Sequence, residues 1–295
     1  LDPLLVSTSS TRKNYFLTRA AVFKNSTVAK LLNSLQMLPV YRMIDGVNTL
    51  QKNRAIFTYC TKLLDQKKSI ILFPEGSHSL KRKVRPLKKG AARIIQETLQ
   101  KFPKREIIII PVGVNYQAPT AYGDSMSVYF GKHISPTKFW DGSQLDMQEL
   151  NKTISAELKQ LTSHIESISD YEQHLKNLIN LKVDFTSPLA VNKCLQSDFL
   201  KTENKIKEPS SLYSFFIFLI KVFYFLPYFI WRKVAFPKIA EDEFIGTFRY
   251  VLIITLAPIY LLLLVFSSFL VFGKTIGLTL LGIGIILPLV TLRVK

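Results

Sequence analysis

The stretch Ile70-Ile71-Leu72-Phe73-Pro74-Glu75-Gly76-Ser77-His78-Ser79 decides how the first half of this chain is read. Apolar residues suited to a buried parallel strand run into Pro74 and Gly76, which end it. A carboxylate, two hydroxyls and an imidazole follow, and then the basic run Lys81-Arg82-Lys83-Val84-Arg85-Pro86-Leu87-Lys88-Lys89-Gly90. In an open α/β sheet, ligands sit in the loops at the carboxyl ends of strands. Glu75 among these cations predicts a site for an anionic substrate that also offers a hydroxyl. The competing reading is a surface turn with a solvated charge run.

Working outward, Asp2 reads as a helix N-cap with Pro3 at the first helical position. Asn14-Tyr15-Phe16-Leu17-Thr18 and Leu38-Pro39-Val40-Tyr41-Arg42 are strand-like, and Ser69 to Pro74 makes a third strand. Between them, Ser26 or Thr27 caps a helix with Val28, Leu31, Leu32 and Leu35 on one face. Asp45-Gly46 is a turn, and Asn48 caps a helix with an inner stripe of Ile56, Tyr59, Leu63 and Leu64. After the basic run, Gly90 opens a helix that buries Ala91, Ile94, Ile95 and Leu99. The four isoleucines of the segment Ile107 to Val114 predict a central strand covered on both faces, its ladder interrupted at Pro111. Met126 to Phe130 is a fifth strand. Strand alternating with helix predicts an α/β domain over residues 1–145, its mixed sheet largely parallel and flanked by helices.

Residues 146–208 read as a polar, helical extension. His164 and His174 lie there at no metal-ligating spacing and are expected at the surface, as is His133. Cys60 and Cys194 make no metal or redox spacing either, which suits a reduced, cytosol-facing protein. The opening residues do not resemble a cleavable signal peptide. At 295 residues and 48% hydrophobic content there is room for one large domain or a domain with an appendage. The net charge of +18 is uneven: residues 1–110 hold 21 Lys/Arg and 6 Asp/Glu, the remainder 18 and 15. That concentration implies an anionic partner, whether a membrane face, a phosphorylated small molecule or a nucleic acid.

The composition changes beyond Pro209. Tyr250 to Gly273 holds 24 uncharged residues and Thr275 to Leu292 another 18, with only Lys274 between them. Both runs are long enough to cross a bilayer core of about 30 Å, so residues 249–295 are expected to form a C-terminal transmembrane helical hairpin. Gly273, Gly277, Gly282 and Gly284 offer the second helix a small-residue side for close packing. Arg232, Lys233, Lys238 and Arg249 precede the first span, and Arg293 and Lys295 follow the second. The positive-inside rule therefore places the α/β domain on the cytoplasmic side of a multi-pass membrane protein. Residues 209–248 include an aromatic segment, Leu212 to Trp231, broken by Lys221 and Pro227, which reads as an interfacial or re-entrant helix.

Four blocks then resemble the glycerol-3-phosphate and 1-acylglycerol-3-phosphate (lysophospholipid) acyltransferases. Phe73-Pro74-Glu75-Gly76 matches the most specific block in full. Leu38-Pro39-Val40-Tyr41-Arg42 is similar to a short strand ending in Arg, and Ile110-Pro111 to an apolar strand with Pro. Asp2 stands at the right distance to be the Asp of a His, four residues, Asp block, whose His would fall ahead of Leu1. The chain is therefore expected to be a segment of a longer one. It departs from the pattern at Gln36, near where a Gly is usual, and at His78, where an Arg is common.

The resemblance covers about residues 1–135. It implies a membrane-anchored enzyme that moves a fatty acyl group from acyl-CoA or acyl carrier protein to a hydroxyl of a glycerophosphate or lysophospholipid, without a cofactor or metal. Asp2 would orient the catalytic imidazole. Arg42, Glu75, Gly76, Ser77, Lys88 and Lys89 would bind substrate, with Arg82, Arg85, Lys88 or Lys89 replacing the Arg lost at His78. The alternative is a catalytically inactive basic membrane module that binds anionic lipids. A nucleic-acid partner accounts for the charge but for neither the Phe73–Gly76 loop nor the spans.

Overall fold

A computed structural model of the chain describes residues 2–41, 48–200, 204–206 and 210–294. They gather into two compact units, Asp2–Gln117 with Ser125–Asn204, and Ala118–Asp124 with Lys205–Lys295.

The first unit is organised on β1 (Asn14–Arg19), which lies between β2 (Met37–Val40) and β3 (Ser69–Ile71), all three parallel. Buried Phe16 is in register with both Met37 and Ile71. Parallel neighbours need crossovers: α2 (Ser26–Ser34) leads from β1 to β2, and α3 (Thr49–Asp65) from β2 to β3. A short α1 (Asp2–Thr8) precedes the sheet. Asp2 stands at its first helical position, with Pro3 following it. In α2 the cap is Asn25, one residue before Ser26, whose side chain accepts from the Thr27 and Val28 N–H groups. Asn48 does precede α3, but its backbone is left-handed and its side chain makes no capping bond. The Asp45-Gly46 turn lies outside the described residues.

β3 is shorter than the sequence suggests, because the chain turns at Phe73. The basic loop then leads into α4 (Gly90–Lys101). Ala92, Ile95 and Leu99 of α4 pack against Ile107, Ile134 and Leu145, and against Leu150 and Ile154 of α5 (Met147–Leu161). The buried residue of its first turn is Ala92 where Ala91 was expected. Among the described residues of α3 the buried positions are Thr49, Cys60, Thr61 and Leu63, whereas Tyr59 is 43% exposed. The stripe runs one residue further round the helix than its aliphatic pattern suggests.

The isoleucine segment overturns one expectation. β4 begins only at Val112 (Val112–Tyr116) and pairs antiparallel with β5 (Met126–Phe130) in a two-stranded sheet of its own. The sheet is therefore three parallel strands and a separate antiparallel pair. Before Pro111, which has no N–H to extend a ladder, the segment makes a single bridge, Ile109 to Ile134. Ile107 turns into the core while Ile108 and Ile110 are 54% and 53% exposed, so the segment is covered on one face only.

Beyond α5, helices α6 (Tyr171–Asn180) and α7 (Pro188–Gln196) close over a second core of Ile165, Tyr171, Leu178, Val183, Phe185, Val191 and Cys194. His164 belongs to this interior, at 9% exposure, and not to the surface.

In the second unit, α8 (Ser211–Phe223) and α9 (Phe225–Ile230) are followed by α10 (Ile245–Phe272) and α11 (Lys274–Val294). Asp242–Phe272 and Lys274–Val294 are long and apolar enough to cross a membrane. Ser211–Phe223 and Phe225–Lys238 would make a third span only as one bent pair, since they meet at 90°. Two glycines form the close α10–α11 contact. A Cβ on Gly284 would lie 2.5 Å from a Leu261 methyl, and one on Gly277 would lie 3.1 Å from the Phe269 ring. Gly282 faces no atom within 4 Å, and Gly273 (φ +84°) forms the turn, so the small-residue side is narrower than expected.

Candidate active site

Phe73 to Gly76 closes as a tight turn in which the Gly76 N–H donates to the Phe73 carbonyl at 3.3 Å. Gly76 has φ +75°, and a Cβ added there would lie 3.3 Å from Lys88 Cγ. Both the conformation and the space favour glycine. The Lys88 N–H donates to the Pro74 carbonyl at 2.8 Å, which returns the far end of the basic loop to the turn.

Glu75 is gripped by Arg85. The guanidinium donates from Nε to Glu75 Oε2 at 2.8 Å, with Nη2 at the same distance, and the Arg85 backbone N–H reaches Oε1 at 3.3 Å. The same guanidinium donates to Ser77 Oγ at 2.5 Å, to the Ser77 carbonyl, and to the His78 carbonyl at 3.4 Å. One arginine thus ties the carboxylate to the two residues after Gly76. Glu75 and Arg85 keep 29% and 26% side-chain exposure. The loop thus gathers a carboxylate, a hydroxyl and a guanidinium on one turn, beside the exposed Lys88.

The loop itself is held from two sides. Arg82 donates to the Tyr116 carbonyl at 2.8 Å and the Gln117 carbonyl at 2.9 Å, and lies 3.7 Å from the centre of the Phe185 ring. Its backbone N–H donates to the Tyr171 hydroxyl at 2.7 Å, and its carbonyl accepts from the Ile165 N–H at 2.8 Å. Two residues on, the Val84 N–H donates to His164 Nδ1 at 3.0 Å, so that nitrogen is unprotonated and Nε2 carries the hydrogen toward Glu166 Oε2, 2.7 Å away. Burial pushes the His164 pKa down against the upward pull of Glu166. Lys159 first, and His164 second, hold Glu166 down to about 2.

Asp2 is placed by Tyr116, the last residue of β4, whose hydroxyl donates to its carboxylate. Tyr116 therefore serves Asp2 through its side chain and Arg82 through its carbonyl. Among the described residues Asp2 makes no bond to the Glu75 loop itself. Glu75, Gly76, Ser77 and Lys88 are brought together, whereas Arg42 lies outside the described residues. Lys88 and Lys89 are exposed. Lys89 lines a cleft of about 430 Å³ with Phe139, Asp141 and Met147, a cleft that none of Glu75, Gly76 and Ser77 reaches.

Gln36 bears on the departure at the second block. Its φ is +61°, the left-handed region that glycine enters most readily. The backbone there keeps the conformation a glycine would supply. Arg85 is one of the four cations the sequence offers for the position of His78, and its guanidinium reaches Ser77 and His78. Tyr116 carried no signal in the sequence. Among the described residues, no group of three His, Cys, Asp or Glu side chains is arranged to hold a metal ion. Cys60, on α3, is fully buried; burial first and the nearby Glu97 second push its thiol up to about 12, so it stays protonated.

With this geometry in place, residues 1–115 match a family model described as Acyltransferase. No curated protein and no solved structure gives a match. The matched segment contains Asp2, the whole Glu75 loop and the first four residues of β4, which supports an acyl-transfer domain over that part of the chain.

Proposed function

We propose that this chain belongs to a membrane-anchored O-acyltransferase that moves a fatty acyl group from a thioester donor, acyl-CoA or acyl carrier protein, to a hydroxyl of glycerol 3-phosphate or a lysophospholipid. The observation that carries this reading is the Glu75–Arg85 pair beside Gly76, inside the segment that matches the acyltransferase model. An alcohol is a poor nucleophile at neutral pH and needs a base. The resemblance assigns that base to a histidine ahead of Leu1, oriented by Asp2. The imidazole takes the proton of the acceptor hydroxyl as its oxygen attacks the thioester carbonyl. The C–S bond then breaks, and the departing thiolate takes up the proton.

In this scheme Glu75 accepts a hydrogen bond from the acceptor's glycerol hydroxyl, and Arg85, Lys88 and Arg42 draw in its phosphate. Ser77 and the Gly76 backbone line the same turn, and Lys89 adds positive potential at the start of α4. The two membrane-length helices would anchor the enzyme where an acylated product belongs, with the first unit on the cytoplasmic face.

The test uses the parent chain with its upstream residues, given acyl-CoA and either lysophosphatidate or glycerol 3-phosphate. Acylated product should form with one of these acceptors. Absence of turnover with either acceptor or any lysolipid, or full activity after Glu75→Ala, would contradict the reading.

A further inference from the structure

The second unit contains a cluster of cations that the acyl-transfer scheme does not use. Arg249, four residues into α10, is only 8% exposed. Its Nη atoms donate to the Ala121 carbonyl and, at 2.5 Å, to the Thr120 carbonyl, while its buried Nε has no hydrogen-bond partner among the described residues. The guanidinium lies 4.2 Å from the centre of the Tyr122 ring and 5.3 Å from that of Trp231. Lys221 Nζ lies 5.9 Å from the same Tyr122 ring and 5.7 Å from Tyr228.

The position of Lys221 on α8 is informative. Leu212, Phe215, Phe218, Val222 and Phe225 are exposed and form the outward side. Tyr213, Ile217, Ile220, Lys221 and Tyr224 are half-buried and form the packed side. An ammonium on the outward side would reach water by snorkelling. On the packed side it is held against aromatic rings, and among the described residues no carboxylate is within ion-pair distance of Lys221, Arg232 or Arg249. Asp124, in the same turn as Tyr122, is near enough to act on Arg249, and Arg232 is near enough to act on Tyr122. The cluster therefore holds three cations against one carboxylate. Cation–π contacts are worth about 0.5–2 kcal/mol each and leave the charge in place.

Its level along the chain also matters. The 28 residues of α10 make a helix of about 42 Å, longer than the roughly 30 Å of a bilayer core. Arg249 and Lys274 bracket the uncharged part, so Arg249, Tyr122, Tyr228 and Trp231 fall at the headgroup level where aromatic belts form.

We propose that Lys221 and Arg249, framed by Tyr122, Tyr228 and Trp231 with Arg232 nearby, bind a phosphate-bearing anion at the membrane surface. The phosphodiester of an anionic glycerolipid headgroup and free phosphate share this chemistry. The site is separate from the Glu75 loop and does not depend on the acyl-transfer reading.

The full chain, purified in dodecyl maltoside micelles, is titrated by calorimetry with dioctanoyl phosphatidylglycerol, with dioctanoyl phosphatidylcholine and with inorganic phosphate. Phosphatidylglycerol should bind saturably, at least about tenfold more weakly to Lys221→Gln and with little change to Lys221→Arg, since removing the ammonium costs a charge-assisted contact. Glu75→Gln should bind as the unaltered chain does. Binding by phosphatidylglycerol alone assigns a lipid headgroup, and equally Lys221-dependent binding by inorganic phosphate assigns the free anion; both support the site. Equal affinity of Lys221→Gln and the unaltered chain, equal binding of phosphatidylcholine, no saturable binding, or loss of binding in Glu75→Gln would each overturn it.

Discussion

Two arginines, one in each unit, are held by consecutive main-chain carbonyls: Arg82 by those of Tyr116 and Gln117, and Arg249 by those of Thr120 and Ala121. Each also stacks on an aromatic ring, Phe185 in one case and Tyr122 in the other. Their surroundings differ. Around Arg82 the charge is matched locally, because the next arginine along the loop is paired with Glu75, and Lys159 is paired with Glu166. Around Arg249, among the described residues, the neighbouring cations Lys221 and Arg232 have no carboxylate at ion-pair distance. Matched charge fixes the shape of a loop and leaves it ready for a substrate. Excess positive charge held against aromatic rings favours an added anion.

Truncating the two arginines breaks the comparison most severely. Arg249→Ala should cost about 3 kcal/mol of stability, because two carbonyls lose a charged donor in a buried setting. Arg82→Ala should cost about 2 kcal/mol, being half-buried with similar bonds. Thermal unfolding of each variant in detergent checks the order. An added anionic lipid should raise the unfolding temperature of Arg82→Ala and not that of Arg249→Ala.

The glycine-type positions sharpen the account of the loop. Gly76→Ala should destabilise by about 1–2 kcal/mol, since φ +75° is costly for any residue with a Cβ. Gln36→Gly should stabilise by about 0.5–1 kcal/mol through the same term with opposite sign. Denaturant midpoints report both. Equal effects of the same sign would remove the argument that Gln36 occupies a glycine's conformation.

Tyr116→Phe leaves the packing but removes the hydroxyl that positions Asp2. Under the proposed function kcat should fall about five- to tenfold, roughly one neutral-to-charged hydrogen bond, while KM for the acceptor stays level. A change in KM alone would assign Tyr116 to substrate binding.

The smallest effect is one of pH. His164 has its pKa lowered by burial, so its contribution to stability is complete above its ordinary value of 6.5 and is lost as pH falls through the folded-state value. Glu166, lowered to about 2, acts in the same direction below 4.5, and its exposure makes that part weak. Protonation of His164 at Nδ1 also removes the acceptor of the Val84 N–H. The unfolding temperature should therefore drop between pH 7 and 5, and His164→Gln should flatten that slope. An unchanged slope would mean that His164 does not titrate in this window.

The sequence made local features legible. The Phe73–Gly76 loop, the start of α4 at Gly90 and the two apolar runs follow from residues adjacent in the chain, where turn residues and periodicity act directly. It was silent where partners are remote. Arg85 and Glu75 are ten residues apart, Tyr116 and Asp2 more than a hundred, and Val84 and His164 eighty, and such pairings are made by tertiary packing. The isoleucine segment misled for a related reason. Ile108 and Ile110 satisfy every local rule for a buried strand, but Pro111 withholds the N–H that would have extended the ladder of β4. His164 misled because its neighbours are polar, although the chain around it folds inward.

The most direct test compares two carboxylates in the parent enzyme, Glu75 and Glu166. Glu75→Gln should lower kcat/KM for the acceptor about a hundredfold or more, as expected when a group facing the reacting substrate is removed, while Glu166→Gln should stay within about threefold of the unaltered enzyme. Equal, small losses in the two variants would contradict the assignment of the Glu75 loop as the place where the acceptor hydroxyl is received.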